Sequence, residues 1–319
     1  MVLVSYHASH EQFAPSRLLR LAKSAEAAGF AAAKSSDHFH PWSERQGQSG
    51  FAWSWLASAL EATRFPIGIV SAPGYRYHPA VLAQAAATVG EMYPGRTWLA
   101  LGSGEAINEA ITGLAWPDKA ERNARLRECV DVIRALFVGD VVTHRGRVTV
   151  VEAKLYTRPA EPVPLFGAAM SAETASVVAG WADGLLTAGH DPNAVRPAIE
   201  AFRADNSGPV HVQMAVSFAG TRREAEEQAV QQWSAAAVGG EVNWDLRRPA
   251  DFDLVSRFVR PDEMGECVFV TDSLSELEAR IGALAELGAD VVHLHPVAED
   301  QEGFIAAVGE NGLAARHRS

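Results

Sequence analysis

The 319-residue chain is predicted to fold as an α/β protein, a (β/α)8 TIM barrel with insertions. Three observations carry that expectation. Eight main apolar runs of strand length are each followed by helical sequence, the number a closed parallel barrel requires. The turn after the first run lacks the Gly-rich phosphate fingerprint of a doubly wound open sheet, the competing arrangement. Polar and ionisable residues gather where the runs end, on the face where such barrels build their sites.

In chain order, Val2 to Tyr6 reads as the first strand. Arg17 to Ala28 follows as a helix, with Leu18, Leu21, Ala22 and Ala25 at helical spacing and Gly29 as its stop. Phe30 to Ser35 is the second strand and Trp53 to Thr63 the next helix. Pro66 to Ser71 is the third strand, interrupted by Gly68, and Ala80 to Met92 a helix entered after Pro79. Thr97 to Leu101 precedes helix Arg122 to Phe137, which carries Leu126, Val130, Ile133 and Phe137 on one face. Val141 to Val151 alternates around Arg145-Gly146 and reads as a hairpin. Strand Val163 to Ala168, helix Ala172 to Gly180, strand Gly184 to Thr187 and helix Val195 to Ala204 resume the rhythm. Strand Val210 to Phe218 leads into helix Arg222 to Ala237. Gly239 to Pro261 has no clear period and is a lid, an oligomer contact or a surface insertion. Glu266 to Val270 adds a short strand, Leu274 to Leu287 a helix closed by Gly288, Asp290 to Leu294 the last strand, and Asp300 to Val308 a final helix. The whole chain, 1–319, is expected to be one domain, with insertions at about 139–162 and 239–265.

Composition narrows the function classes. A formal net charge of -11 gives no support to nucleic-acid binding. Cys129 and Cys267 lie far apart and outside any metal-ligand spacing, which fits a reducing compartment. The first residues lack a basic region and a signal-length apolar run, and no stretch approaches the roughly 18 to 20 apolar residues of a membrane span. The expectation is a cytoplasmic protein with a small-molecule substrate and neither a nucleic-acid nor a membrane partner.

Ser35-Ser36-Asp37-His38-Phe39-His40-Pro41-Trp42 crowds two imidazoles, a carboxylate and an indole behind an apolar run. Such groups are costly to bring together unless they are paired, exposed or used, and imidazole suits proton transfer near neutrality. The plain alternative is a surface turn. Other strand ends supply Tyr6, His7 and Ser9; Ser71 to Gly74; Gly102-Ser103-Gly104-Glu105 with Asn108; Gly167 to Ala169; Gly189, His190 and Asp191; and His293 with His295. Six of the eleven histidines fall in this set: His7, His38, His40, His190, His293 and His295. The glycines around Ser103 let backbone N–H groups approach a flat or anionic ligand, with Glu105 positioned for proton exchange. The same histidines also suggest a metal-dependent barrel hydrolase, although no Lys or His follows the fifth strand where such enzymes commonly place one. A carrier protein without turnover is a further alternative.

Five stretches resemble the luciferase-like flavin and deazaflavin oxidoreductases, nearest the F420-dependent glucose-6-phosphate dehydrogenase branch and its FMN-dependent relatives. They are SYHASHEQFAP (Ser5 to Pro15), SDHFHPW (Ser36 to Trp42), RYHPAVLAQAAATV (Arg76 to Val89), YPGRTWLALGSGEAINE (Tyr93 to Glu109) and the helix through Arg125-Leu126-Arg127-Glu128. PLFGAAMSAE (Pro164 to Glu173) and ADGLLTAG (Ala182 to Gly189) match less densely. The resemblance implies a barrel holding FMN or F420 at its C-terminal mouth, with a slight lean to FMN from SAPGYRYHPA (Ser71 to Ala80). It implies catalytic roles for His38 as base, Glu105 as proton carrier at the ring and Trp42 as the wall that shapes the site. It places Asp37, Ser71, Ser103, Gly104, Asn108, Ala168, Ala169, Met170 and Ser171 around the cofactor. Tyr6, His7, His190 and His295 are the expected substrate pocket, and no metal is expected. His38 is expected to be oriented by Asp37 or another carboxylate. The implied chemistry is hydride transfer at a carbinol or carbonyl carbon, with an FMN-dependent monooxygenase as alternative. Family members are commonly dimers, so a homodimer is expected, and they often carry a non-prolyl cis peptide at the place of Val70-Ser71-Ala72. His190 and Glu266 stand where the dehydrogenases have phosphate-binding cations, so glucose 6-phosphate is not expected as substrate.

Overall fold

The structure is a computed structural model that describes residues 2–239 and 242–316. Its elements are β1 (Leu3–Ala8), α1 (Pro15–Ala27), β2 (Ala32–Ser36), α2 (Ala52–Ala62), β3 (Ile67–Ser71), α3 (Pro79–Met92) and β4 (Thr97–Leu101). They continue with α4 (Ala106–Glu109), α5 (Lys119–Val138), β5 (Val142–Arg145), β6 (Thr149–Ala153), β7 (Leu165–Ala168), α6 (Ala172–Ala179) and β8 (Gly184–Ala188). The last third holds α7 (Pro192–Arg203), β9 (Val210–Phe218), α8 (Arg222–Ala237), α9 (Val242–Asp245), α10 (Pro249–Ser256) and α11 (Met264–Cys267). β10 (Phe269–Thr271), α12 (Leu274–Glu286), β11 (Val291–Pro296), α13 (Gln301–Glu310) and α14 (Leu313–Arg316) complete it.

β11, β1, β2, β3, β4, β7, β8 and β9 are parallel neighbours, and β9 pairs with β11, so the sheet closes on itself as an eight-stranded (β/α)8 barrel. Alternation along each strand divides the residues. Val4, Tyr6 and Ala8 face the helical shell, where α1 adds Leu18, Leu21, Ala22 and Ala25 to one apolar cluster. Trp98, Ala100, Phe166 and Leu186 form a separate cluster within the barrel, joined by Val70. Trp98 needs a glycine on the neighbouring strand: a Cβ at Gly68 would lie 2.0 Å from its indole. The glycine that interrupts the third strand in sequence is therefore the space its barrel neighbour fills.

Several boundaries differ from the sequence expectation for local reasons. α5 starts at Lys119 rather than Arg122 because the Asp118 carboxylate caps it, accepting from Glu121 N at 2.9 Å. α7 starts at Pro192 because Asp191 is its N-cap and proline suits the first turn. β1 and β11 each run two residues further than expected, so His7 and His295 join His293 within strands. For β11 the nine-residue β9 supplies the reason, since their ladder continues to Pro296 opposite Val216, and for β1 it is β2, where Ala8 pairs with Ser35. Beyond the end of β8, the free edge of β9 is taken by β10 at Phe269 to Thr271. The short strand expected at Glu266 to Val270 therefore begins later, and Glu266 and Cys267 belong to α11.

Extra elements occupy the two segments expected to be insertions. In the first, β5 and β6 form an antiparallel hairpin tied to α5. Glu128 accepts from Arg147 N at 2.7 Å and Arg147 Nη1 at 2.9 Å, and its carboxylate meets His144 Nε2 at 2.8 Å. Burial pushes the Glu128 carboxyl up, but the bonds from His144 and Arg147 outweigh it and bring its pKa down to about 2. A depressed carboxylate stabilises the fold above its unfolded pKa, and that contribution is lost as pH falls through the folded value. The hairpin is thus expected to release as pH falls from 4.5 towards about 2, read as faster amide exchange in residues 142–153 than in α5. Uniform exchange across both segments would refute the clamp.

In the second insertion, residues 240–241 lie outside the described residues, and α10 turns Phe252 fully inward. Among the described residues every peptide bond is trans, including those of Val70-Ser71-Ala72, so the cis bond implied there is absent. Among the same residues no helix is long and apolar enough to cross a membrane.

Candidate active site

The C-terminal mouth of the barrel collects loops from β1, β2, β3 and β4. Asp37 follows β2 and extends its ladder, donating its N–H to Val70 O at 3.0 Å. Its buried carboxylate accepts from Ser71 Oγ at 2.9 Å, Tyr77 OH at 3.1 Å and Arg76 Nη1 at 3.3 Å. Arg76 also donates Nη2 to Asp37 O at 2.6 Å and its backbone N–H to Glu109 at 2.9 Å. Trp53 Nε1 donates to Ser71 Oγ at 3.2 Å. Burial pushes Glu109 up to about 7 against the pull of Arg76. Asp37 and Ser71 therefore form a brace between two loops and do not orient His38.

His38 is oriented by other groups. Its Nε2 lies 3.3 Å from Glu11 Oε1 and 3.7 Å from Glu105 Oε2. Asn108 Oδ1 accepts from Phe39 N at 2.8 Å, which turns its Nδ2 towards Glu105 Oε2 at 3.1 Å and His38 Nδ1 at 3.2 Å. An amide nitrogen only donates, so His38 Nδ1 accepts and the neutral ring carries its proton on Nε2, facing the two carboxylates. Ser9 Oγ holds Glu11 from behind at 2.9 Å, and Ser49 Oγ donates to His38 O at 2.8 Å. Burial raises the Glu105 carboxyl, the charge of Glu11 adds to the rise, and His38, Asn108 and Arg76 oppose it.

Trp42 stands 5.0 Å from the His38 ring, centroid to centroid, and packs edge-on against Phe252 at 5.2 Å. Ile107 and Ala235 complete that apolar wall. Across the mouth, Val70, Gly102, Ala168 and Ala188 end their strands half-buried and short. A Cβ on Gly102 would meet nothing nearer than Ala168 Cβ at 3.7 Å. Gly104 has φ +85°, and a Cβ there would crowd Glu109 at 2.9 Å and Ala72 Cβ at 3.4 Å. The result is a low apolar bed beside a carboxyl–imidazole–carboxyl cluster, which fits a flat ring system that exchanges protons along one edge.

The sequence reading placed most of these residues at the mouth and misassigned others. Tyr6 points out of the barrel and donates its hydroxyl to Gln301 Oε1 at 2.8 Å, so it leaves the substrate pocket. His190 packs 5.9 Å from Phe269, and it forms no hydrogen bond with His38, Glu11 or Glu105. Ser171 caps α6 by accepting from Thr174 N at 3.3 Å, Met170 is exposed and Ala169 is buried. Ser103 remains half-buried in the glycine loop. His7 and His295 do lie together inside the barrel, with ring centroids 4.0 Å apart. His40 turns aside, its Nδ1 2.7 Å from Ile107 O. Glu11, Arg76 and Phe252 were assigned no role from sequence. Glu11 sat next to His10 in a stretch already singled out, and its pairing with His38 appears only when the β1 and β2 loops meet. Among the described residues, no three His, Cys, Asp or Glu side chains converge as a metal-ligand set.

A sequence model of the family described as luciferase-like monooxygenase matches residues 2–291. The chain belongs to that family. This family member is 36% identical to the F420-dependent glucose-6-phosphate dehydrogenase of Nakamurella multipartita, over 97% of this chain and 94% of that one. It is 34% identical to the enzyme of the same name from Beutenbergia cavernae, over 100% and 99% of the two chains. Among solved structures, an F420-dependent secondary alcohol dehydrogenase in complex with an F420–acetone adduct superposes with a TM-score of 0.90 at 30% identity, over 97% and 98% of the chains. The family member is therefore a flavin- or F420-dependent oxidoreductase. The expected lean to FMN finds no support among these relatives, which are named for F420.

Proposed function

We propose that the protein is an F420-dependent dehydrogenase that moves hydride between a neutral small carbinol and its carbonyl. One observation carries this reading: the His38 cluster holds carboxyls and imidazoles, and the nearby cations are already engaged. Arg76 is tied to Asp37 and Glu109, Arg280 lies over Phe269, and Lys34 is buried beneath the mouth. A phosphate or carboxylate on the substrate would meet Glu11 and Glu105 without a counter-charge. The likeness to an enzyme solved with an acetone adduct, an uncharged ketone, supports the same substrate class.

The low bed of Val70, Gly102, Ala168 and Ala188 is the place for the ring, with Ser103 and Gly104 along its edge and Met170 and Ser171 at the α6 end. F420, when bound, supplies a hydride acceptor at its central ring carbon. His38 Nε2–H donates to the substrate oxygen, and the carboxylate of Glu11 beside it takes the carbinol proton. The two act as one acid–base pair, in place of the lone His38 base expected from sequence. Burial raises the Glu105 carboxyl beside the bed, which suits it to exchange a proton at the ring edge. Trp42 and Phe252 exclude water from the pair.

The test combines binding and turnover. Purified protein is titrated with F420 and with FMN, then assayed with secondary alcohols, ketones and glucose 6-phosphate. Expected is F420 binding with reduction by neutral secondary alcohols and none by glucose 6-phosphate. Oxygen uptake with reduced FMN would favour the monooxygenase alternative, and turnover of the sugar phosphate would end the neutral-substrate reading. A homodimer is proposed from the same resemblance and is checked by scattering mass.

A further inference from the structure

The barrel interior is divided lengthwise. The half formed by β3, β4, β7 and β8 is apolar, with Val70, Trp98, Ala100, Phe166 and Leu186. The half formed by β9, β11, β1 and β2 is polar: Ser5, His7, Lys34, His211, Gln213, His293 and His295, of which Gln213 alone is half-buried. A fully buried lysine is expensive, and here no carboxylate bonds to it. Its Nζ donates to Gln213 Oε1. Burial drives its pKa down to about 7, with the charge of Glu11 opposing.

Its consequence follows from donor and acceptor chemistry. In its ammonium form Lys34 has donors and no acceptor, and Gln213 turns Oε1 towards it. That leaves Gln213 Nε2, a donor only, facing His295 Nδ1 at 3.3 Å. His295 Nδ1 must then be the unprotonated ring nitrogen. Burial, followed by the charges of Lys34 and His38, holds the His295 ring neutral, so its single proton sits on Nε2. That Nε2 is buried and has no protein partner. The ring is clamped between His7, centroids 4.0 Å apart, and the edge-on indole of Trp233 at 4.5 Å, so its direction is fixed.

We propose that Lys34, acting through Gln213, locks His295 as its Nε2–H tautomer, so that this buried, unpartnered N–H is held as an oriented donor for the substrate oxygen. Lys34 and Gln213 are positioning residues in this arrangement, and neither touches substrate. The inference rests on the hydride-transfer reading above for what the donor binds, though not for the tautomer itself. The chain Lys34 to Gln213 to His295 runs one way only, each group donating to the next. A single change that supplies an acceptor at position 213 reverses its end.

The experiment is two-bond 1H–15N correlation NMR on the full chain labelled at histidine, with the His295 signal assigned from a His295→Gln sample. Expected in the unaltered protein is a protonated Nε2 and an unprotonated Nδ1. Gln213→Glu, whose carboxylate accepts from both Lys34 and His295, is expected to move the His295 proton to Nδ1. Lys34→Met, which frees Gln213 to turn over, is expected to give a mixture of tautomers. In turnover, Gln213→Glu is expected to raise KM for the substrate tenfold or more with F420 affinity unchanged. A protonated Nδ1 in the unaltered protein, or an unmoved proton in Gln213→Glu, overturns the lock. A moved proton with unchanged KM overturns the contact with substrate oxygen. The NMR result stands even if the protein turns over no carbinol, so failure of the functional reading is seen separately.

Discussion

His38→Ala is expected to lower kcat by about 10² to 10⁴, the range for removing a positioned acid–base group, with F420 affinity little changed. Glu11→Gln is expected to fall in the same range, because Glu11 Oε1 is 3.3 Å from His38 Nε2 and the two are proposed to act on one substrate oxygen. The decisive measurement is the double variant. Groups that act as a unit are strongly non-additive, so His38→Ala/Glu11→Gln is expected to be about as slow as the slower single variant. Multiplicative losses would mean two independent roles and would break the pair. Glu105→Gln belongs beside it as a comparison. Its carboxyl is raised by burial and shares the Asn108 amide with His38. A slow Glu105→Gln variant whose loss multiplies with that of His38→Ala would assign Glu105 a separate step.

Asp37→Ala is expected to cost about 3 to 5 kcal/mol of stability, the range for leaving a buried charge without its partner. The change removes at once the acceptor for Arg76, Tyr77 and Ser71. Of its two carboxylate partners Arg76 keeps only Glu109, and burial already pushes that carboxyl up to about 7. Urea unfolding reads the result as a lower midpoint at unchanged slope. Asp37→Asn keeps the shape and some acceptor capacity, so a smaller loss is expected. If Asp37→Ala lowered stability by less than about 1 kcal/mol, a surface pair by comparison, the brace would not be what holds the mouth.

The barrel was legible because its signal is local and repeated. Apolar runs bounded by helical periodicity survive errors of a few residues at each end. The misplaced ends of α5 and α7 trace to Asp118 and Asp191, caps that lay in view but outside the apolar pattern. The ends of β1 and β11 were a different matter. β11 runs on because β9 pairs with it as far as Pro296, and β1 because β2 pairs with it as far as Ala8, and a partner's length is not written in the strand it extends.

The same division runs through the site. His38, Trp42 and Glu105 stand out in sequence because their residue types are costly to crowd at strand ends, and the structure brings them within reach of one another. The sequence by itself determined the eight-fold alternation, the end of the barrel that carries the chemistry and the residue types gathered there, since all three follow from spacing along the chain. Only the tertiary structure decided which carboxylate faces His38, which way Tyr6 points and what lies beneath the mouth. Glu11 meets His38 across 27 residues, and Lys34 meets Gln213 across 179. Hydrogen-bond partners are chosen by the closure of the barrel, where strands remote in sequence become neighbours and each buried donor must find an acceptor.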